Sequence, residues 1–373
     1  MNHEDIDALQ QRINEIDEKF TPVSPRPTIK YKNKPISIKK PKISADFESK
    51  TVLTDSTWQY VEIYLRSKGQ IDALFYWEQA KNFYESTKHL SIISKPLTAY
   101  YCFLNATKAL LEVKNTNYSL SHGVSGKRNV GHINIINEII KFQPSGVVSA
   151  LSQYLGENIP AGGEEYTLKE VLYNIPYIHR AFKLTYNNNN MAELFIPITD
   201  PIFVHDKLRR KAWLQINLEP EHSNRKTLGR LIGYSLDNLY DNTVAYTLRR
   251  NKSFDWDAPR NKPTAQSLDN LKLYHKKIRK ELRYIYSPND LWYVKRKDLT
   301  NNIINKSSLT LTIGAMHRLS ELSRYEPQTL SKHLSKDASW LISEFINKSI
   351  YQFIDQISSE ITGNNFRVTG FRA

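Results

Sequence analysis

The stretch "KPLTAYYCFLNATKALLEVKN", Lys95 to Asn115, decides how this chain folds. Leu97, Tyr101, Leu104, Lys108 and Leu111 recur at helical steps, and Tyr100, Phe103 and Leu110 widen the apolar stripe. A stripe that broad predicts a helix at the buried centre of its unit, with Pro96 placed near its first turn. Lys108 interrupts the stripe, so it either snorkels to water or faces a phosphate.

Upstream, "QIDALFYWEQAKNFYESTK" places Ala73, Trp77, Ala80 and Tyr84 on one face of a second helix. Downstream, "SLSHGVSGKRNVGHINIINEIIKF" runs from Ser119 to Phe142. Ile133, Ile136 and Ile140 predict that helical structure resumes near Gly131. Ser125-Gly126-Lys127-Arg128-Asn129 ahead of that helix has the parts of an anion site: permissive glycine, two cations and a helix terminus. It is not a nucleotide P-loop, because no glycine stands at the required distance and Arg128 replaces the hydroxyl residue. His122 and His132 flank the stretch and, with Arg128, are its candidate acid–base groups. They lack a third ligand at a recognisable spacing, so no metal is expected.

After the asparagine run at 187–190 the period shortens. "AELFIPITD", "KAWLQINLE", "RLIGYSLDN" and "TVAYTLRR" predict a small, mostly antiparallel sheet. Helices return with "SLDNLKLYHKKIRKELRYIY", whose seam runs from Leu268 through His275 and Ile278 to Leu282 and Ile285. Lys272, Lys276, Arg279, Lys280 and Arg283 crowd the rest of its surface, with Tyr274, Tyr284 and Tyr286 available for stacking. That face is the best nucleic-acid candidate in the sequence. "DLWYVKRK" predicts a strand, and two helices close the chain, the second capped at Gly363. Ahead of the helical region, "TPVSPRPTIKYKNKPISIKKPK" is an extended, Lys- and Pro-rich arm that follows a short amphipathic helix.

These readings give an α+β fold. Residues 1–56 form an N-terminal helix and arm, 57–185 a helical unit, 186–262 a small sheet unit, and 263–373 a C-terminal helical unit. The composition is that of a globular protein, and its 52 Lys and Arg against 38 Asp and Glu leave a formal charge of +14. Such an excess favours anionic partners. No run reaches the roughly 20 apolar residues of a membrane span, and no signal peptide is recognisable. Cys102 stands alone, so no internal disulfide can form and a cytoplasmic setting fits. Nucleophile-elbow, zinc-protease and dinucleotide motifs do not occur, and no cofactor is expected.

Four stretches, "YWEQAKNFYES", "PLTAYYCFLNATKALL", "HGV" and "LSRYEP", resemble the YaaC-like family of bacterial proteins. The resemblance spans most of 57–362 and implies helical ends around a β-containing middle, without an assigned activity. The N-terminal helix pair is also similar to HEPN domains, many of them ribonucleases of toxin and antiphage systems. That similarity implies an Arg and a His a few residues apart on one helix. Arg128 and His132, with three residues between them, come nearest and do not match. The leading expectation is a cytoplasmic bacterial protein that contacts nucleic acid or nucleotide through basic surfaces, with antiphage defence as its setting. The alternatives are a divergent HEPN-like ribonuclease and a non-catalytic assembly subunit that binds an acidic partner protein.

Overall fold

Three helices, α1 (Thr57–Ser67), α2 (Ile71–Lys88) and α3 (Lys95–Val113), follow one another in a computed structural model that describes residues 26–187, 191–288 and 291–368. The amphipathic helix expected over residues 1–20 lies outside the described residues. α3 buries Ala99, Tyr100, Cys102, Phe103, Ala106, Leu110 and Leu111, as its broad stripe requires. Its neighbours are α2 on one side and two later helices, α8 (Ser308–Tyr325) and α10 (Ser339–Thr362), on the others. Trp77 of α2 donates its indole N–H to the Trp58 carbonyl at 3.0 Å, which ties the first two helices together. The architecture is α+β.

The chain divides into two units, Ile38–Pro197 with Lys272–Ala373, and Met1–Ser37 with Ile198–Leu271. In the first, β1 (Val124–Arg128), β2 (Glu138–Phe142) and β3 (Glu164–Thr167) form an antiparallel sheet in that order. The helical spacing expected from Gly131 onward is therefore not realised. Residues 129–137 are a loop, closed by the Asn129 N–H on the Asn137 carbonyl at 2.8 Å, and a strand follows. Adjacent Ile139 and Ile140 suit a sheet buried on both faces, while Asn134, Asn137 and Gly131 disfavour a continuous helix. α4 (Val147–Tyr154) packs on α3 and α8, α5 (Leu168–Tyr173) on β2 and β3, and α6 (His179–Thr185) on α5 and α10.

Near the C-terminus, α7 (Ala265–Ile278) starts in the second unit and ends in the first. It stops about two turns earlier than its seam predicts. Lys280 and Glu281 turn the chain back through bonds to the Lys277 and Ile278 carbonyls. Leu282 and Ile285, expected on the helix, belong instead to β4 (Leu282–Ile285), paired antiparallel with β5 (Leu291–Lys295). α9 (Pro327–His333) links α8 to α10, and Gly363 closes α10 at φ 79°. Gly314 lets α8 approach β2, since a Cβ there would sit 2.6 Å from the Phe142 ring.

In the other unit, Lys211–Asn217 pairs antiparallel with Thr247–Arg250 and with the Phe195–Asp206 strand, and Tyr234–Leu236 lies beyond Thr247–Arg250. This sheet unit extends past the expected boundary to Leu271, and residues 26–37 join it. Ile29 N–H bonds to the Phe203 carbonyl at 2.9 Å, so this part of the arm is a fixed piece of the fold.

Candidate functional site

The loop expected to hold an anion is answered by the protein's own carboxylates. Lys127 pairs with Glu165 at 2.8 Å, Arg128 with Glu326 at 2.9 Å, and the Gly126 N–H donates to Glu321. Ser125 to Arg128 lie in β1, so the helix start expected just after them is not formed. His132 is exposed in the 129–137 loop. Lys108 is half-buried, its ammonium 5.1 Å from the Tyr76 ring centroid.

The Lys272–Arg283 face also differs from its expected exposed form. Lys272, Lys276 and Lys280 are exposed, but Arg279 and Arg283 are only 6% and 8% exposed, and Tyr274 and Tyr284 are interior. The reason is the turn after Ile278, which swings both arginines beneath the segment Lys39–Lys42. Lys39, Lys40 and Lys42 of the arm are buried there as well.

Four of these cations, Lys40, Lys42, Arg279 and Arg283, line one cavity of about 30 Å³ with Ser307, Ser308 and Gln356. Ser307 caps the N-terminus of α8, accepting from the Thr310 N–H at 3.2 Å. Lys40 is held 3.3 Å from Asp355, and Lys42 2.9 Å from Glu157. Glu360 also reaches the cavity, but its carboxylate is engaged by the Lys42, Ile43 and Ser44 N–H groups and by Tyr154.

The two arginines are different. Arg279 donates to the Leu282 and Lys40 carbonyls, and Arg283 to the Arg279, Lys280 and Leu282 carbonyls. Neither forms an ion pair among the described residues. These carbonyls lie past the end of α7 or in the arm, so the acceptors are neutral and none is a carboxylate. Burial, followed by Arg283, lowers Arg279 to about 10, and burial lowers Arg283. The Arg279 Nε has no hydrogen-bond partner among the described residues. A buried cation without a counter-ion costs several kcal/mol, which a bound anion would offset.

The model of the YaaC-like protein family matches residues 38–361. The chain belongs to the YaaC-like family. No curated protein and no solved structure matches it. The matched span starts at Ile38, so every lining residue of the basic cavity falls inside this YaaC-like region.

A second polar cluster of the YaaC-like chain brings together residues that are far apart in sequence. The His122 and His317 rings lie 5.7 Å apart, and Tyr100 is 5.4 Å from the first and 4.8 Å from the second. Burial lowers His122, with Arg324 and Lys108 adding to the effect. Burial, then His122, drops His317 to about 3. Behind them, Arg318 and His333 both bond to buried Glu138, at 2.7 and 2.8 Å. Sequence reading placed His122 beside Arg128 and His132 and missed Tyr100, His317 and Arg324. The available signal was the run "HRLSELSR", whose polar residues share a helix with a continuous apolar face. Among the described residues one further group, Glu219, Glu221 and His222, converges within 4.8 Å, and both glutamates are exposed. No described helix is long and apolar enough to cross a membrane.

Proposed function

We propose that this chain binds a small phosphate-bearing ligand of the nucleotide class in the basic cavity beneath the start of α8. One observation carries the reading: Arg279 and Arg283 are buried against the cavity without a direct ion pair among the described residues, Glu157, Glu281 and Glu360 acting on them only at longer range. Guanidinium groups match phosphate oxygens in a planar, two-pronged geometry, and serine hydroxyls at a helix N-terminus add donors. A volume of about 30 Å³ holds about two or three water-sized groups, the bulk of one phosphate head. A duplex backbone is too large to enter it. The wider expectation of contact with nucleic acid or nucleotide thus narrows to a small molecule. Nucleotide recognition of this kind would also suit an antiphage setting.

Calorimetric titration with inorganic phosphate and nucleoside monophosphates tests the reading. Saturable one-to-one binding is expected, weakened about ten-fold or more in Arg283→Met, since charge-assisted bonds each contribute about 1.5–3 kcal/mol. Equal binding by a cooperatively folding Arg283→Met protein would remove the cavity from the function.

A second reading has its own support in the exposed Lys276, Lys277 and Lys280 on the outer side of α7. It predicts salt-sensitive retardation of DNA or RNA in a gel, lost when these lysines are replaced by glutamine.

A further inference from the structure

We infer that the cleft between α1, α2 and α10 binds a nucleobase. The cleft measures about 300 Å³, and a continuation of about 290 Å³ shares Tyr84, Lys88, Ile350 and Tyr351 with it. That is the size of a small-molecule site. Its floor is aromatic: Trp58 and Tyr84 lie 5.3 Å apart with planes inclined by 30°, and Tyr286 stands beside them. Tyr351, 54% exposed, lines both the cleft and its continuation and offers a further ring face. Stacking on such surfaces is strong and indifferent to base identity.

The polar groups select a heterocycle over a plain hydrocarbon ring. Asp55 lines the cleft and makes no hydrogen bond or ion pair among the described residues, so it can accept from a ring amine. An apolar ligand would desolvate that carboxylate without return. Lys88 and Glu85 line the cleft together, and Lys95 lines its continuation. Lys88 is committed to Glu85 at 2.7 Å, and Lys95 to Asn347 at 3.1 Å. Asp355 lines this cleft and holds Lys40, a wall of the basic cavity. The two sites therefore back onto a single ion pair.

The base can belong to a free nucleoside or nucleotide, or to a single strand. Calorimetry with the four ribonucleosides, and with tetranucleotides of each base, distinguishes these sources. Binding of nucleosides is expected, weakened about ten-fold in Tyr351→Ala and retained in Tyr351→Phe, which keeps the ring. Tighter binding of a tetranucleotide would assign the base to a strand, and equal binding would assign it to a free molecule. Arg283→Met should weaken phosphate and leave nucleoside binding unchanged, so the cavity and the cleft fail separately. Absence of nucleoside and tetranucleotide binding at millimolar concentration, or equal affinity in Tyr351→Ala, would overturn the inference.

Discussion

Arg283 donates from Nη1 to the carbonyl oxygen of Arg279, 3.1 Å away, so two buried like charges meet where the chain turns from α7 into β4. Arg283 lowers the preference of Arg279 for the charged form as a secondary effect, burial being the larger cause for both. The backbone carbonyls of Lys40, Arg279, Lys280 and Leu282 hold the guanidinium groups in place but carry no full negative charge. This arrangement separates Arg279 and Arg283 from Lys40 and Lys42, which each have a carboxylate.

That separation gives different mutational costs. Lys42→Met leaves Glu157 buried without its partner and is expected to cost about 3–5 kcal/mol in urea denaturation. Arg283→Met strands no carboxylate and should cost clearly less in phosphate-free buffer. A larger loss for Arg283→Met would mean that its carbonyl bonds, and not an absent anion, explain its burial.

Lys295 gives a signature on the alkaline side. Its ammonium bonds to Asn174 Oδ1 at 2.8 Å and the Ile304 carbonyl at 2.6 Å, and burial, then Arg283, lowers it to about 7. Between about pH 7 and 10.5 the unfolded chain holds a proton that the folded chain lacks. Stability therefore rises with pH across this window, by up to about 1.4 kcal/mol per pH unit. Denaturation curves at pH 7, 8 and 9 should show the slope in wild type and its reduction in Lys295→Met.

His275 and His317 act on the acid side. Burial, then Arg279 and His122 respectively, drops each from 6.5 to about 3. Below pH 6.5 the unfolded imidazoles bind protons while the folded ones stay neutral until about pH 3. Stability is thus complete above 6.5 and declines as the pH falls, by up to about 1.4 kcal/mol per unit for each histidine. In an NMR titration the His317 ring signals should stay constant from pH 8 to 4.5.

Gly314→Ala tests the contact of α8 with β2. The added methyl would meet the Phe142 ring at 2.6 Å, inside van der Waals contact. Overpacking of this kind is expected to cost about 1–3 kcal/mol, read as a lower urea midpoint at unchanged slope.

Much of this architecture is legible in the sequence, and the exceptions have physical causes. The stripe of Lys95–Asn115 can only be satisfied by burial on several sides, so the central helix follows directly. The 131–142 segment misleads because Ile133, Ile136 and Ile140 fit a helical face, while Ile133 and Ile136 lie in the 129–137 loop and only Ile140 lies in β2. "KKIRKELR" looks like a solvated helix face, since the turn after Ile278 that carries Arg279 and Arg283 inward has no glycine or proline to mark it. The charge count likewise does not distinguish exposed lysines from Lys39, Lys40 and Lys42, which are inside. The His122–His317 contact joins residues 195 positions apart, beyond the reach of local spacing.

Thermal unfolding of wild type and Arg283→Met in phosphate, against chloride at equal ionic strength, tests the buried-cation account most directly. Wild type should gain about 2.7 kcal/mol at a hundred-fold excess of phosphate over its dissociation constant, seen as a rising midpoint, and the variant should stay flat. Midpoints that are indifferent to phosphate in both proteins, or that rise equally in both, would contradict it.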